Sequence, residues 1–213
     1  MPVRNAITRL EELGLIRTSA YQGAWVAEMD LQDYFTFMLL RIEAEALAAS
    51  FAAQKSTDSL IEMLEDVCDR MEAARDANDY EGFGRLNRKS HSLVCEASGN
   101  PTLIEHINTL VKRTQIAVSL FGIMSSENSC KEHRDWIEAL RNHDSQRSST
   151  PILRYQRCRA NLELMRAILD GHPNVQNNHF LQHAAASEQG RRYVTEFIPF
   201  FEEIKERNRY EDL

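Results

Sequence analysis

Apolar residues recur every three to four positions along most of this 213-residue chain, and strand-like alternation is scarce. At the N-terminus Val3, Ala6, Ile7, Leu10 and Leu13 mark one face of a short helix, and Gly14 supplies a left-handed stop. Leu15 and Ile16 then resume as a short extended run, and Gly23, within Gln22-Gly23-Ala24-Trp25-Val26, turns the chain into a hairpin. Between residues 28 and 170 Gly and Pro are sparse and helix formers dominate, so the region reads as all-α. The pattern predicts helices over 31–54, 58–76, 79–98, 101–122, 130–143 and 151–169. The first follows Asp30 as N-cap and carries Leu39, Leu40, Ile42, Ala46, Leu47 and Phe51 on its apolar side. The third ends at Ser98-Gly99-Asn100-Pro101, where Gly99 stops one helix and Pro101 fits the first turn of the next. Such short connections make antiparallel neighbours in a bundle.

Three stretches depart from that pattern. Residues 142–151 are polar and lose helical periodicity, which predicts a loop or an interrupted helix. Residues 171–187 are rich in Asn, His and Gln and contain Pro173, the composition of a mobile linker. Residues 188–208 are amphipathic through Tyr193, Phe197, Phe200, Phe201 and Ile204, with Pro199 expected to bend or split the helix. That aromatic stripe is expected to dock on the bundle or on a partner subunit. The predicted organisation is a small module over 1–28, an all-helical domain over 29–170 and a C-terminal extension over 171–213.

Charge divides the chain in the same place. The formal net charge is −7 with a pI near 5.5, which argues against non-specific coating of nucleic acid. Residues 1–27 nevertheless carry Arg4, Arg9 and Arg17 against Glu11 and Glu12, so the acidity lies in the remainder. Cys68, Cys95, Cys130 and Cys158 stand far apart with no Cys-x-x-Cys spacing, as buried thiols of a reducing cytoplasm do. No apolar run approaches the length of a membrane span, and a cytoplasmic location is expected.

The candidate chemistry is sparse. Asn87 and His91 share a helical face at i, i+4, the spacing for two ligands of one metal, and His133 follows in Glu132-His133-Arg134. An ordinary core or surface side chain explains any one of these residues more cheaply than a metal ligand does. Arg41 either faces a cavity, where its fork of donors pairs with a carboxylate, or forms a salt bridge with Glu45 one turn away. Arg113 is a weaker candidate of the same kind. There is no Gly-rich phosphate loop, no Gly-x-Ser-x-Gly elbow and no His-Glu-x-x-His, and no glutamate is placed as a general base, so no enzyme is expected.

Pro2-Val3-Arg4-Asn5-Ala6-Ile7-Thr8-Arg9-Leu10, with the Gly23 hairpin behind it, resembles the recognition helix and wing of GntR-family transcription regulators. Arg41-x-x-x-Glu45, Asn87-Arg88-x-x-His91, Ala97-Ser98-Gly99-Asn100-Pro101-x-Leu103 and Glu132-His133-Arg134 fall in the order of the FadR-type C-terminal domain of that family. The resemblance covers roughly residues 2–170. It implies an all-α C-terminal helical bundle around an effector cavity, preceded by a partial winged helix-turn-helix. The family's two preceding helices would lie before Pro2, so the module is expected to be truncated at its N-terminus. DNA contact falls by resemblance on Arg4, Arg9, Gln22 and Gly23. Members with metal sites use an Asp or Asn, a His four residues on, a His in the Glu-His-Arg segment and another on the last helix. Asn87, His91 and His133 match the first three; the last falls near Tyr155, where no histidine stands, and His143 and His172 are off the pattern. Tyr155 joins Arg41 and Arg113 as an effector-binding candidate.

The resulting expectation is a homodimeric, DNA-binding transcriptional regulator acting on a palindromic operator. Its helical domain would sense a small carboxylate-type effector, beside a divalent metal ion (zinc, nickel or manganese) held by an incomplete ligand set. The alternative is a stand-alone ligand-binding or dimerisation module without DNA recognition, and a metal-dependent hydrolase is a distant third.

Overall fold

Helix α1 (Pro2–Glu12) is followed by an antiparallel hairpin, β1 (Ile16–Ser19) and β2 (Gly23–Val26), in the register Ile16 to Val26 and Ser19 to Gly23. The structure is a computed structural model that describes residues 2–12, 16–21, 23–26, 31–114, 118–145, 151–176, 181–182 and 186–209. The predicted stop at Leu13-Gly14-Leu15 and the Asp30 cap lie outside these residues. Gly23 has φ +75°, the left-handed backbone its turn requires. Glu11 ties α1 to the hairpin by accepting from the Thr18 N–H at 3.1 Å and from its hydroxyl at 2.5 Å. Val3 and Leu10, on the predicted apolar stripe, are exposed, whereas Ile7 is half-buried.

The bundle comprises α2 (Leu31–Gln54), α3 (Asp58–Asp76), α4 (Tyr80–Ala97), α5 (Pro101–Thr114), α6 (Val118–Arg141), α7 (Leu153–Asp170), the single turn α8 (Pro173–Gln176) and α9 (Glu188–Arg207). Its boundaries follow local chemistry. Thr57, Asp79 and Ser187 cap α3, α4 and α9 by accepting from the backbone N–H three residues on. Gly99 reverses the chain at φ +62° before Pro101 opens α5, and Gly171 ends α7 at φ +67°.

Four expectations are corrected. The predicted helix 101–122 ends at Thr114, and the next begins at Val118 and runs to Arg141, twelve residues before its predicted start. Gly122 and the serines after it weaken helical propensity without interrupting the helix. On α2, Leu40 and Leu47 are 54% and 50% exposed. Ile42 and Ala46 are buried as expected, but their companions on the buried face are Tyr34, Phe35, Met38 and Ala49, because α-helical phase separates these from the two leucines. The stretch read as a mobile linker contains α8 and buries Val175 and Leu181 against the bundle. Pro199 does not split α9: it lies on the exposed side with Thr195, whose carbonyl loses its helical partner where water can replace it.

Two apolar clusters divide the interior. One joins α3, α4 and α6 through Leu64, Met71, Phe83, Val94, Trp136 and Leu140. The other joins α2, α7 and α9 through Tyr34, Phe35, Ile42, Leu162, Met165 and Phe201. All four cysteines are free and buried. Between the clusters, where α2, α4, α6 and α7 face one another, the buried side chains turn polar.

Candidate effector cavity

Helical spacing delivers the polar residues to one place. On α2, Met38, Arg41 and Glu45 fall on one face at i, i+3 and i+7; on α4, Phe83, Gly84, Asn87, Arg88 and His91 do the same. Thr114 ends α5, Ser129 lies on α6, and Gln156, Arg157, Arg159 and Ala160 come from α7. Apart from Glu45, these residues line a cavity of about 50 Å³. One water needs on the order of 10–15 Å³, so the space suits a small polar group.

Arg41 lines the cavity and also makes the bridge to Glu45, which is buried rather than on the surface. Arg41 is itself buried, and donates from Nε to Glu45 Oε1 at 2.7 Å and from Nη1 to the Thr114 hydroxyl at 3.1 Å. Glu45 is shared: Arg157 donates from Nε to its Oε2 at 2.9 Å. Arg157 Nη2 stands 2.7 Å from the same oxygen but outside hydrogen-bond alignment. Burial pushes the Glu45 carboxyl up, but Arg157 and Arg41 outweigh it and hold its pKa below the usual carboxylate range. Burial also lowers the pKa of Arg157, against the opposing pull of Glu45. Arg159 is satisfied differently, by a bidentate bond to Glu132 at 2.7 and 2.8 Å and a third donor to Glu163 at 2.6 Å, which clamps α7 to α6.

The histidines form an aromatic group with Trp136. Ring centroids of His91 and His133 are 5.3 Å apart, and Trp136 lies 5.1 Å from His91 and 6.1 Å from His133. His133 Nδ1 donates to the Ser129 carbonyl at 2.6 Å, which leaves Nε2 as a buried acceptor without a partner. The Gln156 amide lies 3.0 Å from the same Nδ1. Burial, reinforced by Arg157, His133 and Arg41, holds His91 well below the usual imidazole range. Burial brings His133 down to about 4 despite the Ser129 bond, with Arg157 and Arg159 acting in the same direction.

Asn87 and His91 therefore line the cavity as the spacing predicts, while His133 stands one layer behind them. Tyr155 does not reach it. Its ring packs on the α3–α6 core beneath Lys205, and the next residue, Gln156, faces the cavity because one step along a helix turns the side chain by about 100°. Arg113 is also outside the lining, with its guanidinium 4.9 Å from the centre of the Phe37 ring. His143 bonds the Ala53 carbonyl instead. The residues the sequence left unnoticed are Gln156 and Arg157, whose only signal was their place on a helix that starts after Pro151.

The donor set suits a divalent ion only in part. Two neutral imidazoles, one oriented by a carbonyl, are the favourable half of such a site. The other half is missing. The lining offers the amides of Asn87 and Gln156 and no carboxylate, and among the described residues no group of three His, Cys, Asp or Glu is arranged to hold a metal. Arg41 and Arg157 add positive charge to the same walls, which opposes a dication. These residues do not fit the metal expected from the sequence.

Of the residues expected from the sequence to contact DNA, Arg4 is exposed on α1 and Gly23 begins β2 at the hairpin turn; Gln22 and the Arg9 side chain lie outside the described residues.

Residues 37–156 match the FCD domain family. Curated relatives include the uncharacterized HTH-type transcriptional regulator YdhC of Bacillus subtilis, 25% identical over 71% of this chain and 69% of its own length. The HTH-type transcriptional regulator McbR of Escherichia coli is 25% identical over 51% of this chain and 49% of its own. The HTH-type transcriptional repressor RspR of Escherichia coli is 25% identical over 67% of this chain and 64% of its own. The chain thus spans about half to two thirds of the length of these relatives. Among solved structures, E. coli McbR/YncC superposes with a TM-score of 0.62 at 19% identity, over 78% of this chain and 76% of that one. Streptococcus agalactiae GntR gives 0.51 at 18% identity over 75% and 80%. The shared fold is the helical bundle.

Proposed function

Because the chain belongs to the FCD-domain family of GntR-type transcriptional regulators, which are not enzymes, we propose that it regulates transcription by binding DNA under the control of a small organic acid. One observation carries the sensory part: a cavity lined by four arginines, two of which, Arg41 and Arg157, share a single buried glutamate. The DNA-reading part rests on α1, with Arg4 on its exposed surface, and on the hairpin behind it. The acting species is a homodimer on a palindromic operator, in which two copies of α1 present two reading surfaces.

The chain order suggests the route of control. Helix α2 carries Arg41 and begins at Leu31, five positions after the end of β2 at Val26. An anion that engages Arg41 therefore acts on the bundle helix nearest in sequence to the reading unit. It changes operator affinity only to the extent that it binds the DNA-competent and DNA-incompetent arrangements unequally.

A gel-shift titration with DNA from the region upstream of its own gene tests the proposal. A specific shift is expected, weakened by Arg4→Ala and displaced or strengthened by a carboxylate. A protein that takes up the carboxylate yet leaves every DNA fragment unshifted would be a ligand-binding or dimerisation module instead.

A further inference from the structure

We propose that this cavity receives a small carboxylate directly on arginine, with no divalent metal between them; the inference rests on the sensory role proposed above. Three observations carry it.

The first is charge. Arg41 and Arg157 divide one carboxylate, Arg159 answers two, and Arg88 lines the cavity as well, so four guanidiniums stand against three carboxylates and the site carries one formal positive charge in excess. Burying an unpaired charge is costly, and a monoanion in the cavity removes the cost. The second is unused hydrogen-bonding capacity. Arg157 spends Nε on Glu45 and has a buried Nη2 outside any aligned bond. Gln156 Oε1 and His91 Nδ1 are likewise buried without a partner, on side chains that line the same space. A guanidinium fork offers parallel donors that match a carboxylate, and neutral amide and imidazole groups beside it take up further polar atoms of the ligand. The third is the donor set itself, which supplies amides where a dication needs anionic oxygen.

The ligand's competitor is built in. Glu45 occupies the arginines when the cavity holds no anion, and an arriving carboxylate bids for the same donors from the other side. The arrangement couples α2 to α7, because Arg41 and Glu45 belong to one helix and Arg157 to the other.

The test is thermal-shift and calorimetric titration of the full chain, stripped with EDTA, using acetate, lactate and malonate at constant ionic strength with chloride as control. At least one carboxylate should raise the melting temperature in EDTA, Arg157→Met should abolish that shift, and Glu45→Gln should tighten binding by roughly tenfold through loss of the internal competitor. A purely structural ion pair would not produce that gain. If Arg157→Met does not fold, Arg157→Lys, which keeps the charge and loses the fork, should weaken binding, and Glu45→Gln still decides. A shift that appears only with added zinc, nickel or manganese and disappears in His91→Ala overturns the inference and leaves the sensory reading standing. No shift with any of the three carboxylates, with or without metal, overturns both.

Discussion

Glu45 holds two helices by answering two arginines at once, and its titration should be visible in the stability of the whole protein. Its folded pKa lies below the ordinary 4.5 because Arg157 and Arg41 overcome the effect of burial. A carboxyl lowered on folding contributes stability that is complete above its unfolded pKa and is lost as pH falls through the folded one. Denaturant unfolding midpoints compared from pH 6 downward should therefore fall more steeply below about pH 4.5 in the native chain than in Glu45→Gln. Equal slopes would show that the arginines do not stabilise the charge. At this scale the sequence was legible where spacing stays inside one helix: Arg41 with Glu45, and Asn87 with His91, are both i, i+4 pairs and both reach the site. Counting from His133 to the next wall fails because the interval crosses the end of α6 and the start of α7, where a slip of one residue exchanges Tyr155 for Gln156. Arg157 was invisible for a related reason, since nothing in a sequence reveals that its partner is 112 positions away.

Helices were legible where their ends carry chemistry. Gly99, Pro101 and Gly171 mark real boundaries, whereas α5 ends at Thr114 and α6 begins at Val118 with neither Gly nor Pro near Thr114 to announce the change. The aromatic stripe of α9 was also legible, and its docking surface is the bundle: Phe201 and Val194 are fully buried against α2 and α7, and Phe35 meets Phe201 and Phe197 with ring centroids 6.1 and 5.8 Å apart. This places α9 over the helix that carries Arg41, so its attachment bears on the cavity as well as on stability. Phe201→Ala should cost about 3–5 kcal/mol, the usual result of emptying a buried phenyl site. Phe200→Ala, on a side chain 58% exposed, should stay within about 0.5 kcal/mol of the parent. Urea midpoints of the two variants check the pair, and similar losses in both would mean that Phe200 is covered in solution by something the single chain lacks.

Across the whole molecule the charge is unevenly shared. Residues 1–27 carry a formal +1 and the remainder −8, so on the proposed function the bundle would be repelled by the phosphate backbone that α1 is proposed to approach. Among residues 1–27 only Arg4, Arg9 and Arg17 are basic, six arginines in the proposed dimer of this chain. Each neutralised phosphate contributes about 0.9 to the slope of log affinity against log salt, so the slope for a dimer of this chain should not be steeper than about −5. Fluorescence anisotropy on the operator at several salt concentrations measures it. A steeper slope would place phosphate contacts on the bundle, against its net charge, and would require a local basic surface that the formal totals conceal. A slope within the limit leaves α1 and the hairpin as the sole electrostatic contact. The specificity of this chain would then have to come from base contacts made by Arg4 and its neighbours rather than from a broad positive surface.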